Sequence, residues 1–286
     1  MRVSFPPGNQ RQFVENTKLR SGLAWRAYRK SLGITNHTHY RYEDCTLPLR
    51  VFRKAIKIAG MSATEAKRFN YVLRKEPQEQ TLKLRKDAAL AEFLGICLGD
   101  GNLEPHWLAI FGDKANDTIY LKCHVAPLIR RTLKLNPKFK ANRPDENFLV
   151  LNSTAAVRAL HQLGLPIGDK IKNGARIPKW IRARRRLLEA CLRGLFDTDG
   201  CVYGFCRRPP ARGRKAIISF EFGVGSRLTG DVHRALCRLG YSPRMMPHRN
   251  ESRLAVNSDI VSFMNRIKPS NSKHWDNFRR WYGPVV

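Results

Sequence analysis

Two aspartates, Asp100 and Asp199, occupy equivalent positions in two similar segments of the chain. Segments Phe93–Gly101 and Leu192–Gly200 are each an apolar, helix-like stretch that ends in Asp-Gly. If the two carboxylates meet, they favour a divalent cation such as Mg²⁺, which takes oxygen ligands and often combines carboxylates with phosphate and water. Paired metal ions can polarise a phosphodiester, lower the pKa of an attacking water and stabilise the leaving oxygen. The repeated aspartate therefore predicts a metal site for phosphodiester cleavage.

Small residues spaced four apart, which share one helix face, occur in both segments. They are Gly95, Gly99, Gly194 and Thr198. Small side chains allow two helices to approach closely, because the side chains at the contact set the distance between the helix axes. Two parallel helices packed in this way would place Asp100 and Asp199 side by side at their C-terminal ends. We expect Gly99 and Thr198, which directly precede the aspartates, to contribute to the same metal site.

The ends of these two helices need charge compensation. Both carboxylates would meet each other and the negative end of a helix dipole, and a bound cation reverses this repulsion. We expect Gly101 and Gly200 to let the chain leave each helix in a left-handed conformation. Asp197 has no acidic counterpart in the first segment, where Leu98 stands, so we interpret it as structural rather than as a metal ligand.

A lysine follows each segment at a similar distance. An Asn-Ser pair also recurs in register, ending at Ser153 and at Ser258, and Lys170 and Lys273 come after these pairs. Their ammonium groups would stabilise charge that develops on a phosphate or would help to position the attacking water. A solvated lysine, or one that only contacts phosphate, remains the alternative at both positions.

The elements between these landmarks repeat as well, and they predict an α+β fold with two αββαββα units. After each Asp-Gly, periodic patterns predict strand-like stretches, a helix, a hairpin and a closing helix. In the first unit the stretches are Trp107–Phe111, Thr118–Leu133, Lys138–Leu151 and Thr154–Leu163. In the second unit they are Ala216–Phe222, Leu228–Leu239, Arg244–Val256 and Asp259–Ile267.

Charge is the strongest compositional signal. The chain has 286 residues, with 53 Lys and Arg against 23 Asp and Glu, which gives a formal net charge of +30. A charge of this size indicates a polyanionic partner, namely nucleic acid. Seven cysteines without a Cys-x-x-Cys pair argue against a disulfide framework or a structural zinc site. We expect neither a membrane span nor a secretory signal, and hence a cytoplasmic, nucleoid-associated or organellar location.

Residues 1–87 lie outside the repeat and form a basic, partly helical N-terminal extension. They open with a polar stretch containing Pro and Gly, which we expect to fray. Leu49–Ala59 and Ala63–Lys75 predict two short basic helices, with Gly60 ending the first and Ser62 capping the second. The pair would suit a helix-turn-helix DNA reader or an ordinary helical hairpin. The predicted domains are 1–87, 88–182 for the first repeat and 183–286 for the second.

At the two nonapeptides the sequence resembles the LAGLIDADG homing endonucleases of the single-chain, two-repeat type. Leu192–Gly200 is the closer match to the family signature, and segments Lys170–Trp180 and Asn271–His274 resemble those that follow each repeat. The resemblance implies pseudo-twofold αββαββα repeats, signature helices at their interface and two antiparallel sheets that form a saddle over the DNA major groove. It also implies that Asp100 and Asp199, the last acidic residues of the signatures, bind Mg²⁺ near the scissile phosphates, so that both strands of a long site are cut.

The resemblance covers about residues 88–282 and assigns DNA contacts to basic residues of the hairpins. Those residues are Lys138, Lys140, Arg143, Arg207, Arg208, Arg212, Arg214, Lys215, Arg244 and Arg249. Arginine can pair bidentately with guanine, whereas many of these side chains will contact only phosphate. We expect a monomer that binds double-stranded DNA, with Mg²⁺ as the cofactor and Mn²⁺ or Ca²⁺ able to replace it in binding.

Other functions fit the same sequence. One is an RNA maturase that helps an intron to fold, which would add intron RNA to the partners, and another is a DNA-binding regulator that no longer cleaves. A basic ribosome-associated protein is the remaining alternative. Retention of both Asp100 and Asp199 favours the nuclease, since two carboxylates facing phosphate do not help a protein that only binds. We therefore expect a homing endonuclease that makes a metal-dependent double-strand break near the insertion point of its own gene.

Overall fold

The computed structural model describes residues 1–34, 40, 46–74, 82–206 and 214–282. The chain divides into two compact units, Met1–Gln80 and Thr81–Val286. The second unit contains both segments that end in Asp-Gly. Among the residues described, no helix combines the length and the apolar character that crossing a bilayer requires.

The N-terminal unit has its own sheet and its own apolar core. Its elements are β1 (Arg2–Ser4), α1 (Asn9–Arg20), α2 (Trp25–Leu32), β2 (Leu47–Pro48), α3 (Leu49–Ile58), α4 (Ala63–Lys67) and β3 (Val72–Arg74). Strand β1 lies between β2 and β3 and is antiparallel to both. Val3, Phe13 and Phe52 are buried, and the rings of Phe13 and Phe52 stack 4.9 Å apart. Removal of these apolar groups from water stabilises the unit.

The opening residues do not fray, contrary to the expectation from their composition. Val3 of the central strand is fully buried and pairs with Leu47 on one side and Leu73 on the other. Both partners lie far along the chain, so the local polar sequence does not reveal the strand. Terminal residues are ordered when such pairing ties them down.

The predicted helical hairpin is present only in part. Ser62 caps α4 as expected, because its hydroxyl accepts a hydrogen bond from the Glu65 amide. The helix ends at Lys67 rather than at Lys75, since Asn70 takes a left-handed φ of 50° and β3 follows. The second helix is therefore little more than one turn long, shorter than the predicted helix-turn-helix requires.

The larger unit contains the order αββαββα twice. The first repeat consists of α5 (Ala88–Leu98), β4 (Gly101–Glu104), β5 (Trp107–Asp113), α6 (Thr118–Tyr120), a π-helical turn (Leu121–Val125), α7 (Ala126–Leu133), β6 (Lys138–Arg143), β7 (Glu146–Asn152) and α8 (Thr154–Gln162). After α9 (Lys179–Arg182), the second repeat consists of α10 (Arg185–Asp199), β8 (Gly200–Cys206), β9 (Arg214–Glu221), α11 (Leu228–Arg238), β10 (Arg244–Met246), β11 (Glu251–Leu254) and α12 (Asn257–Ile267). A further helix, α13 (Ser272–Tyr282), follows. The predicted α+β fold with two αββαββα repeats is confirmed.

Each repeat forms a four-stranded antiparallel sheet with the same strand order. The order is β4-β5-β7-β6 in the first repeat and β8-β9-β11-β10 in the second. Gly101 pairs with Ile110 in the first sheet, and Gly200 pairs with Phe220 in the second. This shared register fixes which residues of the two repeats are equivalent.

Helices α5 and α10 lie in one apolar core that contains residues of both repeats. Every residue of α5 from Leu90 to Leu98 is buried, so this helix has no polar face. Phe196 of α10 is fully buried and contacts the rings of Phe220 and Phe263. The core therefore fixes the two helices whose ends carry the aspartates.

Candidate metal and nucleic-acid site

The backbones of helices α5 and α10 are in direct contact. A Cβ atom on Gly95 would overlap the carbonyl oxygen of Cys191, and one on Gly194 would overlap the carbonyl oxygen of Glu92. Gly95 and Gly194 are equivalent in the two repeats, so the contact is symmetric. Glycine permits this approach because the groups at a helix contact set the distance between the axes.

Gly194→Ala is expected to lower the free energy of unfolding by about 1–3 kcal/mol, since the added methyl must push two backbones apart. Gly230→Ala in α11 is the matched control. Its methyl would meet the flexible guanidinium of Arg234, so stability should stay the same or rise slightly with helix propensity. Urea unfolding followed by circular dichroism measures both variants, and equal stability of the two would contradict the close packing.

The close approach continues to the C-terminal ends of the two helices. A Cβ on Gly99 would overlap the hydroxyl of Thr198 and would lie 2.9 Å from Oδ2 of Asp199. Asp199 therefore reaches the residue that directly precedes Asp100, and the two aspartates occupy one site.

The glycines after the aspartates do not take the expected left-handed conformation. Gly200 is extended, with φ −82° and ψ 152°, and it leads directly into β8. A Cβ there would overlap the ring and the carbonyl oxygen of Phe196, and one on Gly101 would overlap the backbone of Cys97. Close approach to the preceding turn, rather than a positive φ, explains both glycines.

Burial leaves both carboxylates poorly solvated. It raises the pKa of Asp100 to about 6, against the opposing charge of Lys273. Burial, together with the charge of Asp100, raises the pKa of Asp199 to about 7, against the effect of Lys170. Within the described residues, no protein donor hydrogen-bonds either carboxylate. Two such oxygen groups fit a hard divalent cation, which would supply the missing positive charge.

The other two residues expected at the metal site are both engaged within the protein. The carbonyl oxygen of Gly99 accepts a hydrogen bond from Nζ of Lys170. The hydroxyl of Thr198 donates to the carbonyl oxygens of Gly194 and Leu195, both at 3.1 Å. The two aspartate carboxylates are therefore the groups at these helix ends best placed to hold a cation.

Lys170 and Lys273 both reach this site, but different groups hold them. Nζ of Lys170 donates to the carbonyl oxygen of Leu98 at 3.1 Å as well as to that of Gly99. Burial lowers the pKa of Lys170, and the charges of the two aspartates oppose that shift. Nζ of Lys273 instead donates to Oδ1 of Asp117 at 2.8 Å.

Asp117 is a residue of this site that the sequence alone did not indicate. It is buried, and besides Lys273 it accepts hydrogen bonds from the Asn271 side-chain amide at 2.7 Å and from the Asp113 backbone at 3.1 Å. It lines a cleft of about 400 Å³ together with Asp100 and Lys273. No local signal marks Asp117, because an aspartate before a helix is common. Its partners Asn271 and Lys273 come 154 and 156 residues later in the chain.

Asp197 fixes the segment that leads to Lys273. Its carboxylate is buried and accepts hydrogen bonds from the backbone amides of Ser270 and Asn271, at 2.9 and 3.0 Å. Burial raises the pKa of Asp197 to about 7, and those two amides oppose the shift. This geometry agrees with the structural interpretation of the residue.

Glu92, His124 and Asp197 form a second group, with potential ligand atoms within 4.8 Å of one another. Nε2 of His124 lies 2.6 Å from Glu92, and Arg193 pairs with Glu92 at 3.1 Å. Because an arginine already compensates Glu92 and backbone amides occupy Asp197, we assign no metal to this group.

The basic residues predicted to contact DNA fall into three sets. Strand β6 carries three exposed ones, Lys138, Lys140 and Arg143. The corresponding hairpin of the second repeat carries two exposed ones, Arg244 and Arg249. In the third set, Arg214 and Lys215 begin β9, whereas Arg207, Arg208 and Arg212 lie outside the described residues. Both sheets thus present exposed cations on their last hairpin.

No protein-family model matches the chain, and no curated protein matches its sequence. Solved structures do match. A structure of the homing endonuclease I-DmoI in complex with DNA and Ca has a TM-score of 0.41 at 17% identity, over 63% of this chain and 88% of that chain. The LAGLIDADG meganuclease I-AabMI bound to uncleaved DNA has a TM-score of 0.45 at 13% identity, over 65% and 87%. The N-terminal LAGLIDADG domain of WhiA has a TM-score of 0.42 at 13% identity, over 68% and 91%.

These similar structures are LAGLIDADG proteins, the family that the two nonapeptides resemble. At identities of 17% or less and TM-scores below 0.5, this similarity carries no conclusion about the activity of this chain. The two-repeat architecture itself follows from the helices, strands and registers of this chain.

Proposed function

We propose that the chain is a LAGLIDADG homing endonuclease that makes a metal-dependent double-strand break in a long DNA site. One observation carries the proposal: two partly buried aspartates meet at the ends of paired helices, and a lysine from each repeat reaches them. This acidic site belongs to a chain with a net charge of +30, which favours a polyanionic substrate.

The aspartates and the lysines of the site have different proposed roles. Asp100 and Asp199 would hold divalent cations, with Mg²⁺ as the cofactor and Mn²⁺ or Ca²⁺ as substitutes in binding. The bound metal would lower the pKa of an attacking water and stabilise the leaving oxygen. Lys170 and Lys273 would place their ammonium groups against the scissile phosphates, where they stabilise charge that develops during cleavage. The repetition of the fold supplies one lysine for each DNA strand.

The two sheets, within residues 88–182 and 183–286, would contact the DNA. Pairs of β-strands are able to enter the major groove and present side chains to base edges. The exposed cations Lys138 and Lys140 on β6 and Arg244 on β10 occupy the same hairpin of each repeat. Two such surfaces would read two half-sites, so that one chain, acting as a monomer, covers a long target.

The N-terminal unit, within residues 1–87, would add contacts to phosphate. Helix α3 buries Val51, Phe52 and Ala55 and exposes its cations. The exposed cations are Arg50, Arg53, Lys54 and Lys57. A basic helix face of this kind attracts the DNA backbone regardless of sequence.

The proposed function is tested by incubating the protein with a library of DNA duplexes. The library includes the uninterrupted sequence into which the gene is inserted. We expect double-strand ends at one sequence in Mg²⁺ and none in EDTA, as detected by adaptor ligation and sequencing. The ends should disappear when the preferred sequence is removed from the library. Selective binding without any ends in Mg²⁺ or Mn²⁺ would contradict the proposal and would indicate a DNA-binding regulator.

A further inference from the structure

Groups of different charge anchor the two lysines of the site. Lys273 donates to a carboxylate, that of Asp117, at 2.8 Å. Lys170 donates to the uncharged carbonyl oxygens of Leu98 and Gly99. The two repeats therefore share an architecture but differ in how they hold an equivalent side chain.

Strand register identifies the counterpart of Asp117 in the second repeat. Ile110 of β5 and Phe220 of β9 are equivalent, because each pairs with the glycine that follows a site aspartate. Seven residues beyond them stand Asp117 and Arg227, and each directly precedes the next helix, α6 or α11. An acidic residue in the first repeat is thus replaced by a basic residue in the second.

Arg227 cannot take over the anchoring role in its own repeat. A guanidinium has only donors, so it cannot accept a hydrogen bond from a lysine. One of its nitrogens lies 3.5 Å from where a Cβ on Gly174 would stand, in the segment that follows Lys170. Lys170 consequently relies on main-chain carbonyls.

Each lysine is also associated with a different aspartate. The positive charge of Lys273 lowers the pKa of Asp100 more than that of Lys170 does. For Asp199, the charge of Lys170 has the larger effect. The geometry agrees, because Asp100, Asp117 and Lys273 line one cleft. The site thus consists of one half with Asp100, Lys273 and Asp117, and one half with Asp199 and Lys170.

We propose that Asp117 is a positioning residue that fixes Lys273 beside Asp100, so that cutting of one DNA strand depends on it and cutting of the other does not. This inference rests on the proposed nuclease function. Without the carboxylate, the flexible lysine side chain loses the group that sets its position. Displacement of a catalytic group by about 1 Å can lower a rate about 100-fold.

The test uses the full chain and its selected target duplex, with a different fluorophore on each strand, under single-turnover conditions in Mg²⁺. Asp117→Ala removes both acceptor oxygens and is expected to slow cutting of one strand at least about 10-fold and of the other less than about 2-fold, so that nicked duplex accumulates. Lys273→Met should slow the same strand, and Lys170→Met the opposite strand. Asp117→Ala combined with Lys273→Met should be no slower than Lys273→Met alone, because an absent lysine needs no anchor.

Asp145→Ala is the matched control, since it removes a different carboxylate from the same cleft. It should leave the ratio of the two strand rates unchanged. The ratio of the two strand rates remains informative if Asp117→Ala is partly unfolded, because unfolded protein lowers both rates equally. Equal slowing of both strands, or slowing of the strand assigned to Lys170, would overturn the inference. If the unaltered chain cuts no duplex in the library, that result contradicts the proposed function as well as this inference.

Discussion

Asp100→Asn and Asp199→Asn are each expected to reduce double-strand cleavage at least about 1000-fold, which corresponds to about 4 kcal/mol of transition-state stabilisation. Asparagine keeps the size of the side chain but removes the charge that would hold the cation between the helix ends. The remaining carboxylate would then face the helix dipole with too little negative charge to retain a hard cation. Single-turnover cleavage of the selected duplex in Mg²⁺ measures the loss.

DNA affinity should change little in both variants. The net charge of +30 dominates the attraction to phosphate, and removal of one negative charge slightly strengthens it. Fluorescence anisotropy at several salt concentrations measures this affinity. Asp276→Asn on α13 is the control for loss of one exposed carboxylate, and it should cut at the normal rate. Normal cutting by Asp100→Asn and Asp199→Asn would remove the basis of the metal assignment.

The repeated architecture could be predicted because its signals are local. Apolar periodicity marks the helices, and the same order of patterns recurs between the two Asp-Gly motifs. The predicted helix Leu228–Leu239 is present as Leu228–Arg238, and Thr118–Leu133 is helical throughout, with a π turn within it. The juxtaposition of Asp100 and Asp199 could also be predicted, because the small residues at helical spacing are visible in a single sequence.

Asp117 and β1 show what local patterns miss. Asp117 acquires its place in the site from Lys273 and Asn271, which the fold brings from the far end of the chain. Strand β1 is only three residues long and is followed closely by two prolines, yet its pairing with Leu47 and Leu73 makes it central. In both cases long-range contacts decide the structure, and a periodic pattern does not encode them.

In the absence of divalent cations, the protein is expected to lose stability as the pH rises from about 4 to 8. Burial raises the pKa of Asp100 to about 6 and that of Asp199 to about 7, from an ordinary value of 3.8. The folded state thus binds these protons more tightly than the unfolded state does. The stabilising effect of these two bound protons is complete below about pH 4, and it is lost as the pH rises through 6 and 7. One pKa unit corresponds to about 1.4 kcal/mol, so the two shifts set an upper limit of about 7 kcal/mol. Because both side chains are partly exposed to water, which screens their charges, we expect a loss of about 2–4 kcal/mol.

Asp199→Asn isolates this effect, because the variant has no ionisable group at that position. In EDTA it should be more stable than the unaltered protein by about 2 kcal/mol at pH 8 and no more stable at pH 4. Burial also raises the pKa of Asp197 to about 7, but this residue titrates in both proteins and cancels in the difference. Urea unfolding across a pH series measures the two free energies. Parallel curves would contradict the assignment of the titration to the aspartate pair.

Mg²⁺ should reverse this order of stability. A ligand that binds only the folded state stabilises it by mass action, and the ionised carboxylates are the form that a cation binds. At pH 8, Mg²⁺ is therefore expected to raise the Tm of the unaltered protein and to leave that of Asp199→Asn nearly unchanged. Poor solvation of Asp100 and Asp199 would then destabilise their ionised forms without metal and favour binding of the cation. An equal response of the two proteins to Mg²⁺ would place the cation elsewhere and would contradict metal binding by Asp100 and Asp199.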